Sequence, residues 1–318
     1  MAESFFAISL SSLRIDSIPT FDLYIRHLSS PQLVLFREKS TPFTGRVLQN
    51  LIDNKHEQLF VPRDQRDDYF EYSSRLVADM VANDSVPAKE KSQVVYSTVT
   101  NIMEDLFATP RSSTRIRQAR ETVRTMVDFI VRDEQASRNL IFLTCHDYYT
   151  YTHSVNVSIF ATTLAEKVLG PASTDHDLWV MGEGFLLHDI GKSMIPPSII
   201  NKPGKLNEHE WALMKQHPEQ GRRILEETHQ INQTIEVIVC DHHERPDGSG
   251  YPRGLVLEEI HPYAKICCIA DVFDAMTTVR SYRDPLSTFD ALAIMRDEMS
   301  AHFDRDFFNE FVMLFREQ

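Results

Sequence analysis

Residues 185–206 read FLLHDIGKSMIPPSIINKPGKL, an apolar run that stops abruptly at chemistry. Phe185, Leu186 and Leu187 have the continuous apolar character of a buried helix. His188 and Asp189 follow at once, then Gly191 and Lys192. A core segment needs none of these groups. Imidazole beside carboxylate suits a divalent metal, glycine admits close approach, and a lysine is the natural partner of a phosphate oxygen. The run therefore predicts a buried metal centre, with Gly191 and Lys192 placed where substrate phosphate comes close.

Four further stretches carry the same residue types. They hold His153 in YTYTHSVNV, His217 in MKQHPEQG, the adjacent His242 and His243 in CDHHERPDGSGYP, and Asp271 in IADVFDAM. With His188 and Asp189 these make more candidate ligands than one ion uses. A two-metal site uses about that many, its ions roughly 3.5–4 Å apart. Asp189 is the expected bridge, since its neighbour His188 can hold one of the ions. Lys192 lies three residues beyond Asp189, so one helical turn puts both on one face. His146-Asp147 is another such dipeptide without a following Gly-x-Lys, and it reads as structural or as backing for a ligand. His176, His209, His229, His261 and His302 receive no role. In RPDGSGYP, Gly248 and Gly250 permit positive φ and Pro252 fixes the next bend, which predicts a rigid loop beside the two histidines. Tyr251 reads as pinning that loop.

The rest of the chain divides by pattern. Residues 1–84 contain FDLYIRHL, PQLVLFREK and EQLFVPRD, short β-branched or aromatic runs that predict strands, around a short helix in TGRVLQNLIDNKH. A small α+β domain follows from this. Ser85 is the expected cap of the next helix, with Pro87 in its first turn. Val95, Val99, Ile102 and Leu106, then Ile116, Ala119, Val123, Met126 and Ile130, form one apolar stripe on each of two helices spanning 85–132. These helices either pack on the domain core or form a dimeric connector that carries a signal from the first domain. Residues 133–318 read as helical, with long loops near 196–207 and 244–262. The fold class is mostly α: an all-helical domain with a smaller N-terminal α+β domain.

Composition bounds the function. The 318 residues are 42% hydrophobic and 25% charged, enough for one or two globular domains. The formal charge of -13 argues against DNA or bulk RNA as a partner. No run of eighteen apolar residues predicts a membrane span, and MAESFFAISL lacks the basic region of a signal peptide. The four cysteines form no CxxC pair, and Cys267-Cys268 read as small buried hydrophobes, so a cytoplasmic location is expected.

HDIGK, IPPSIINKPGKLNEHEWALMKQHPEQG, HHERPDGSGYPRGL and KICCIADVFDAMTTVRSYR, in that order, resemble the HD-GYP family of metal-dependent phosphohydrolases, which degrade the bacterial second messenger cyclic di-GMP. The resemblance covers roughly residues 133–300 and does not reach residues 1–84. It implies that His153, His188, Asp189, His217, His242, His243 and Asp271 are the metal ligands. It implies that Lys192 contacts phosphate, that Arg280, Tyr282 and Arg283 help hold the nucleotide, and that Gly250, Tyr251 and Pro252 are the GYP signature. Some members carry a glutamate one turn before the first histidine and a third metal. Tyr149 stands there in this chain, so two metals are expected, with iron favoured, manganese next, and zinc or nickel below them. The implied activity is hydrolysis of cyclic di-GMP by a metal-bridging hydroxide, giving pGpG and onward GMP. Implied partners are cyclic di-GMP, a diguanylate cyclase (GGDEF) protein met through the GYP loop, and a second copy in a homodimer. Two other functions compete: a non-catalytic cyclic di-GMP receptor, and a phosphodiesterase for another cyclic dinucleotide such as cyclic GMP-AMP.

Overall fold

A computed structural model describes residues 4–27, 32–144, 150–170, 176–279 and 284–316. The chain divides into two compact units, Met1–Ile102 and Met103–Gln318. The division falls inside the stretch read as a connector.

In the first unit, strands β1 (Phe5–Ser9), β2 (Leu23–Arg26), β3 (Leu33–Arg37) and β4 (Gln58–Pro62) form an antiparallel sheet in the order β1-β4-β2-β3. The three expected strands are present. The sequence reading missed β1, which pairs with β4 from Phe5↔Pro62 to Ser9↔Gln58. Helix α1 (Gly45–Asp53) is the expected short helix, and α2 (Arg66–Ala82) follows β4. Central β4 buries Leu59, Phe60 and Val61, and α2 covers it with Tyr69 and Phe70. Phe6 and Phe21 meet Tyr69 edge-on at 5.3 and 5.4 Å, an aromatic cluster within this small core.

Helix α3 (Ala88–Ala108) begins three residues later than the expected cap. The Ser85 amide and hydroxyl both donate to Asn83 Oδ1, at 3.0 and 2.7 Å, so the serine closes a turn of its own. The Pro87 carbonyl instead accepts from Glu90 and Lys91. Helix α4 (Ser113–Arg132) is capped by Ser112, whose side chain accepts from Arg115 N. Both apolar stripes are buried within the single chain, as the packing reading requires.

The second unit continues with α5 (Glu134–Leu143), α6 (Thr150–Leu169), α7 (Leu178–Leu187), α8 (Pro197–Ile200), α9 (Glu208–Met214) and α10 (His217–Glu227). It closes with α11 (Gln233–Asp241), α12 (Pro262–Thr277), α13 (Thr288–Asp297) and α14 (Arg305–Met313). Helices α6, α7 and α12 form the centre, and α4 and α11 pack against α7. Helix α6 is buried without a break from Thr152 to Ala165, which explains its lack of a polar stripe. Phe160, Phe273 and Phe311 meet at 5.1–6.1 Å and fix α14 on α6 and α12. Among the described residues no helix is long and apolar enough to cross a membrane.

Candidate metal centre

Each candidate ligand stands at a defined place on this framework. His153 lies in the first turns of α6, and Asp271 lies mid-way along α12. His188 is the C-terminal cap of α7, and Asp189 opens the 3-10 turn Ile190–Met194. His217 begins α10, and His242 caps α11 with His243 beside it. Secondary structure thus brings five separate chain segments to one point. Six of the seven side chains are buried, and His243 is partly exposed at the rim.

The seven form two groups. Asp189, His217, His242 and His243 make one, and His153, His188 and Asp271 the other; within each, one ligand atom per residue lies within 4.8 Å of the rest. Asp189 faces both. Its Oδ2 lies 3.4 Å from His153 Nε2 and 3.5 Å from His188 Nε2. Its Oδ1 lies 3.3 Å from His217 Nε2 and 3.8 Å from His242 Nε2. Asp271 Oδ1 is 3.0 Å from His153 Nε2, and its Oδ2 is 3.5 Å from His243 Nδ1.

The outer ring nitrogens decide which way the histidines point. His188 Nδ1 donates to Phe185 O at 2.8 Å, and His217 Nδ1 to Met214 O at 2.8 Å. His242 Nδ1 donates to Val239 O at 3.0 Å. His153 Nδ1 donates to Asp274 Oδ2 at 2.6 Å. With the proton on Nδ1, the Nε2 atoms of His188, His217 and His242 turn a lone pair toward the centre, the tautomer a metal ligand requires. Burial disfavours charge on His153, yet Asp189, Asp271 and Asp274 hold its pKa well above the ordinary value, so a metal ion there takes the place of a proton.

Electrostatics point the same way. Burial, reinforced by the neighbouring His243, takes the His217 pKa down to about 3 despite Asp189. Burial and three surrounding histidines push His242 well below its ordinary value. Burial lowers His243 to about 4, against the pull of Asp271. All three are neutral at pH 7. His217 Nε2 and His242 Nε2 then oppose each other as lone pairs across 3.2 Å, an arrangement that repels unless a cation serves both. Among the described residues, His188 Nε2 and Asp189 Oδ1 are buried with no hydrogen bond. Each such atom costs about 1–3 kcal/mol if nothing meets it. Burial disfavours charge on Asp189 and Asp271, yet Lys192 and His188 for the first, and His153 and His243 for the second, hold both well below the usual carboxylate range. Neutral imidazoles around ionised carboxylates fit divalent metal ions.

Lys192 is brought into the site, where its ammonium pairs with Asp189 one turn back. Gly191 also has a packing role that the sequence did not show. A Cβ there would lie 1.9 Å from His217 O and 2.5 Å from Gly221 N, so glycine lets the 3-10 turn press on the backbone of α10. Gly248 has the expected positive φ, 77°. Gly250 does not, and is glycine because Arg245 N and Glu244 Cα crowd it at 2.4 and 2.5 Å. Tyr251 stacks on His243 with ring centres 4.6 Å apart, and pins the loop as expected. Cys267 and Cys268 are buried free thiols, consistent with packing alone. Arg280, Tyr282 and Arg283, like His146, Asp147 and Tyr149, lie outside the described residues.

Three supports escaped the sequence reading. Asp274, one turn beyond Asp271, holds His153, and Asn156 Nδ2 donates to its other oxygen at 2.8 Å. Buried Glu244 accepts from Arg253 N at 2.6 Å and Leu255 N at 2.8 Å, closing the loop that carries Tyr251. Fully buried Glu183 in α7 receives Arg120 at 2.7 Å and Arg124 at 2.5 Å from α4. Spacing carried a signal only for the first, since His153/Asn156 and Asp271/Asp274 are both i, i+3 pairs.

The chain is similar to several known proteins. A family model described as HD domain matches residues 135–307. The curated protein named cyclic di-GMP phosphodiesterase PA4108, from Pseudomonas aeruginosa, is 38% identical over 58% of this chain and 43% of its own length. A Vibrio cholerae protein named 3'3'-cGAMP-specific phosphodiesterase 2 is 35% identical over 62% of this chain and 37% of its own. The chain thus spans less than half the length of these two relatives. Among solved structures, Bd1817, described as an HDG"Y"P protein from Bdellovibrio bacteriovorus, aligns over 96% of this chain and 98% of its own with a TM-score of 0.69 at 20% identity, a likeness of fold.

Proposed function

Because the chain belongs to the HD domain family, we propose that it is a metal-dependent phosphodiesterase that hydrolyses cyclic di-GMP to linear pGpG and onward to GMP. The observation that carries this reading is the pair of neutral imidazoles whose Nε2 atoms face each other at 3.2 Å beside a carboxylate turned to both ligand groups. His153, His188, Asp271 and Asp189 Oδ2 would hold one divalent ion; His217, His242, His243 and Asp189 Oδ1 would hold the other. Two such ions supply a nucleophile from water near neutral pH and neutralise charge on phosphate oxygens. The family resemblance favours iron, then manganese, over zinc or nickel.

The chain's own groups do the rest. Asp274 and the three backbone carbonyls keep the Nε2 lone pairs inward. Lys192 is the cation beside Asp189 that a phosphate oxygen of the substrate would share. Arg280, Tyr282 and Arg283 are the nucleotide contacts in this reading, and Gly250, Tyr251 and Pro252 form a loop available to a diguanylate cyclase partner. Residues 1–84 are a regulatory domain, 85–132 its connector and 133–318 the catalytic domain of a cytoplasmic signalling enzyme.

Anaerobic purification, metal counting and chromatography of products from cyclic di-GMP test the proposal. Two metals per chain with pGpG or GMP appearing support it, and Asp189→Ala is expected to abolish turnover with the fold retained. Turnover at the normal rate in metal-restored Asp189→Ala would defeat the dinuclear site. A second substrate belongs in the same assay, because relatives named cyclic GMP-AMP phosphodiesterases are 35–39% identical to this chain. Faster hydrolysis of 3'3'-cyclic GMP-AMP would reassign the substrate and keep the chemistry.

A further inference from the structure

We infer that Trp211 is a stacking platform for a base of the substrate, an inference that rests on the cyclic dinucleotide reading. A metal centre of this kind takes hold of phosphate. The bases of a cyclic dinucleotide project several ångströms away from it and need their own surface. Trp211 stands on α9, beside the loop that carries Tyr251, and is 45% exposed. Its ring lies 5.9 Å from Tyr251 and nearly perpendicular to it, at 79°. Tyr251 in turn stacks on the ligand-group residue His243 at 4.6 Å and reaches His217 at 6.4 Å. The indole is thus two ring contacts from the metal centre, with much of its surface uncovered. Among the described residues its N–H makes no hydrogen bond.

The platform is also held in place, which a merely exposed side chain would not need. Helix α9 opens with a reciprocal cap in which Asn207 accepts from Glu210 N at 2.8 Å and Glu210 accepts from Asn207 N at 2.7 Å. Lys202 pairs with the same Glu210 carboxylate at 2.6 Å. The helix ends at Met214, whose carbonyl fixes His217. The element that orients a candidate ligand therefore also carries the indole, one turn earlier. Base–aromatic stacking suits such a site, because every base has a π face and the contact survives a change of base. Trp211 would set the preference for nucleotide over simple phosphodiesters without distinguishing guanine from adenine.

The chain has two tryptophans, so the indole can be read directly. Trp179 donates its N–H to Asp128, and Trp179→Phe isolates the signal of Trp211. Stopped-flow mixing of metal-loaded Trp179→Phe with cyclic di-GMP should quench emission before turnover. Trp211→Ala should raise KM about 5- to 100-fold with a smaller effect on kcat, the range expected for one lost stack. Trp211→Phe should recover most of that loss, and Trp179→Phe should leave both constants unchanged. Hydrolysis at an unaltered KM in Trp211→Ala, without quenching in Trp179→Phe, overturns the inference and leaves the phosphodiesterase intact. Absence of both hydrolysis and quenching in the metal-loaded protein, for cyclic di-GMP and cyclic GMP-AMP alike, overturns the enzyme reading and this inference with it.

Discussion

Replacing Gly191 with alanine tests how the metal centre is built without removing any ligand. The added methyl group would lie 1.9 Å from the carbonyl oxygen of His217 and 2.5 Å from the amide nitrogen of Gly221, whereas ordinary contact begins at 3.4 Å. About 1.5 Å must be found, and no flexible side chain can give it, because both neighbours are backbone. Ligand distances tolerate only about 0.2 Å. If α10 recoils, His217 leaves its group while His153, His188 and Asp271, on α6, α7 and α12, stay. If the turn Ile190–Met194 recoils, Asp189 goes with it and both groups suffer. Either way the metal count falls below two. Overpacking a tight contact costs about 1–3 kcal/mol, and a backbone clash belongs at the upper end. For a unit of this size that lowers Tm by about 5–10 °C. Metal counting after gel filtration, with thermal melts of apo and loaded protein, reads both effects. Gly45→Ala is the control, since among the described residues its Cβ would meet only Ile15, at 3.7 Å. Two metals at undiminished affinity and an unchanged Tm in Gly191→Ala would refute the packing argument.

Other perturbations separate the supports from the ligands. Asp274→Asn removes the carboxylate that holds His153 Nδ1 at 2.6 Å; affinity for the more labile metal should drop roughly 10- to 100-fold, and equal affinities by competition with a chelator would refute it. Glu244→Ala releases the amides of Arg253 and Leu255; each hydrogen bond to a charged group is worth about 1.5–3 kcal/mol, so a urea midpoint equal to wild type would refute its role in closing the loop. The metal-free protein should lose stability as pH falls from 6.5 toward 4. His217 and His243 have folded pKa values of about 3 and about 4, so in that window the unfolded chain takes up protons that the folded chain does not. Each histidine contributes a slope on the order of 1 kcal/mol per pH unit. Asp189 and Asp271 lose their contribution only below the ordinary carboxylate range, and His153, held well above its ordinary value, does not oppose the trend there. A flat urea midpoint between pH 6.5 and 4.5 would refute it.

How far the centre was legible in the sequence depends on what each residue contributes. The seven ligand candidates stood out because imidazole and carboxylate are costly in apolar surroundings, so each marked a place where burial had to be compensated. Their division into two groups was not legible, because it depends on which faces of α6, α7, α11 and α12 meet. The packing of Gly191 on α10 was not legible either. A glycine beside a phosphate and a glycine beside a backbone are the same letter, and only the position of α10 separates them. Strand β1 was lost for a related reason: FFAIS has no alternation that survives alone, and its partner lies fifty residues away in β4. One rule does emerge from the geometry and can be read back into the sequence. Phe185 and His188, Met214 and His217, and Val239 and His242 are each three apart, and in every case the earlier carbonyl fixes the later Nδ1. Those carbonyls belong to the last turns of α7, α9 and α11, where a helix has acceptors with no amide to meet them. A histidine placed just past a helix end satisfies that orphan acceptor and, by the same bond, turns its other nitrogen away. Three helices that end at one point therefore deliver three ligands of the same tautomer. His176, His209 and His229 do not follow an apolar helix end in this way, which separates these three from the centre without appeal to the metal.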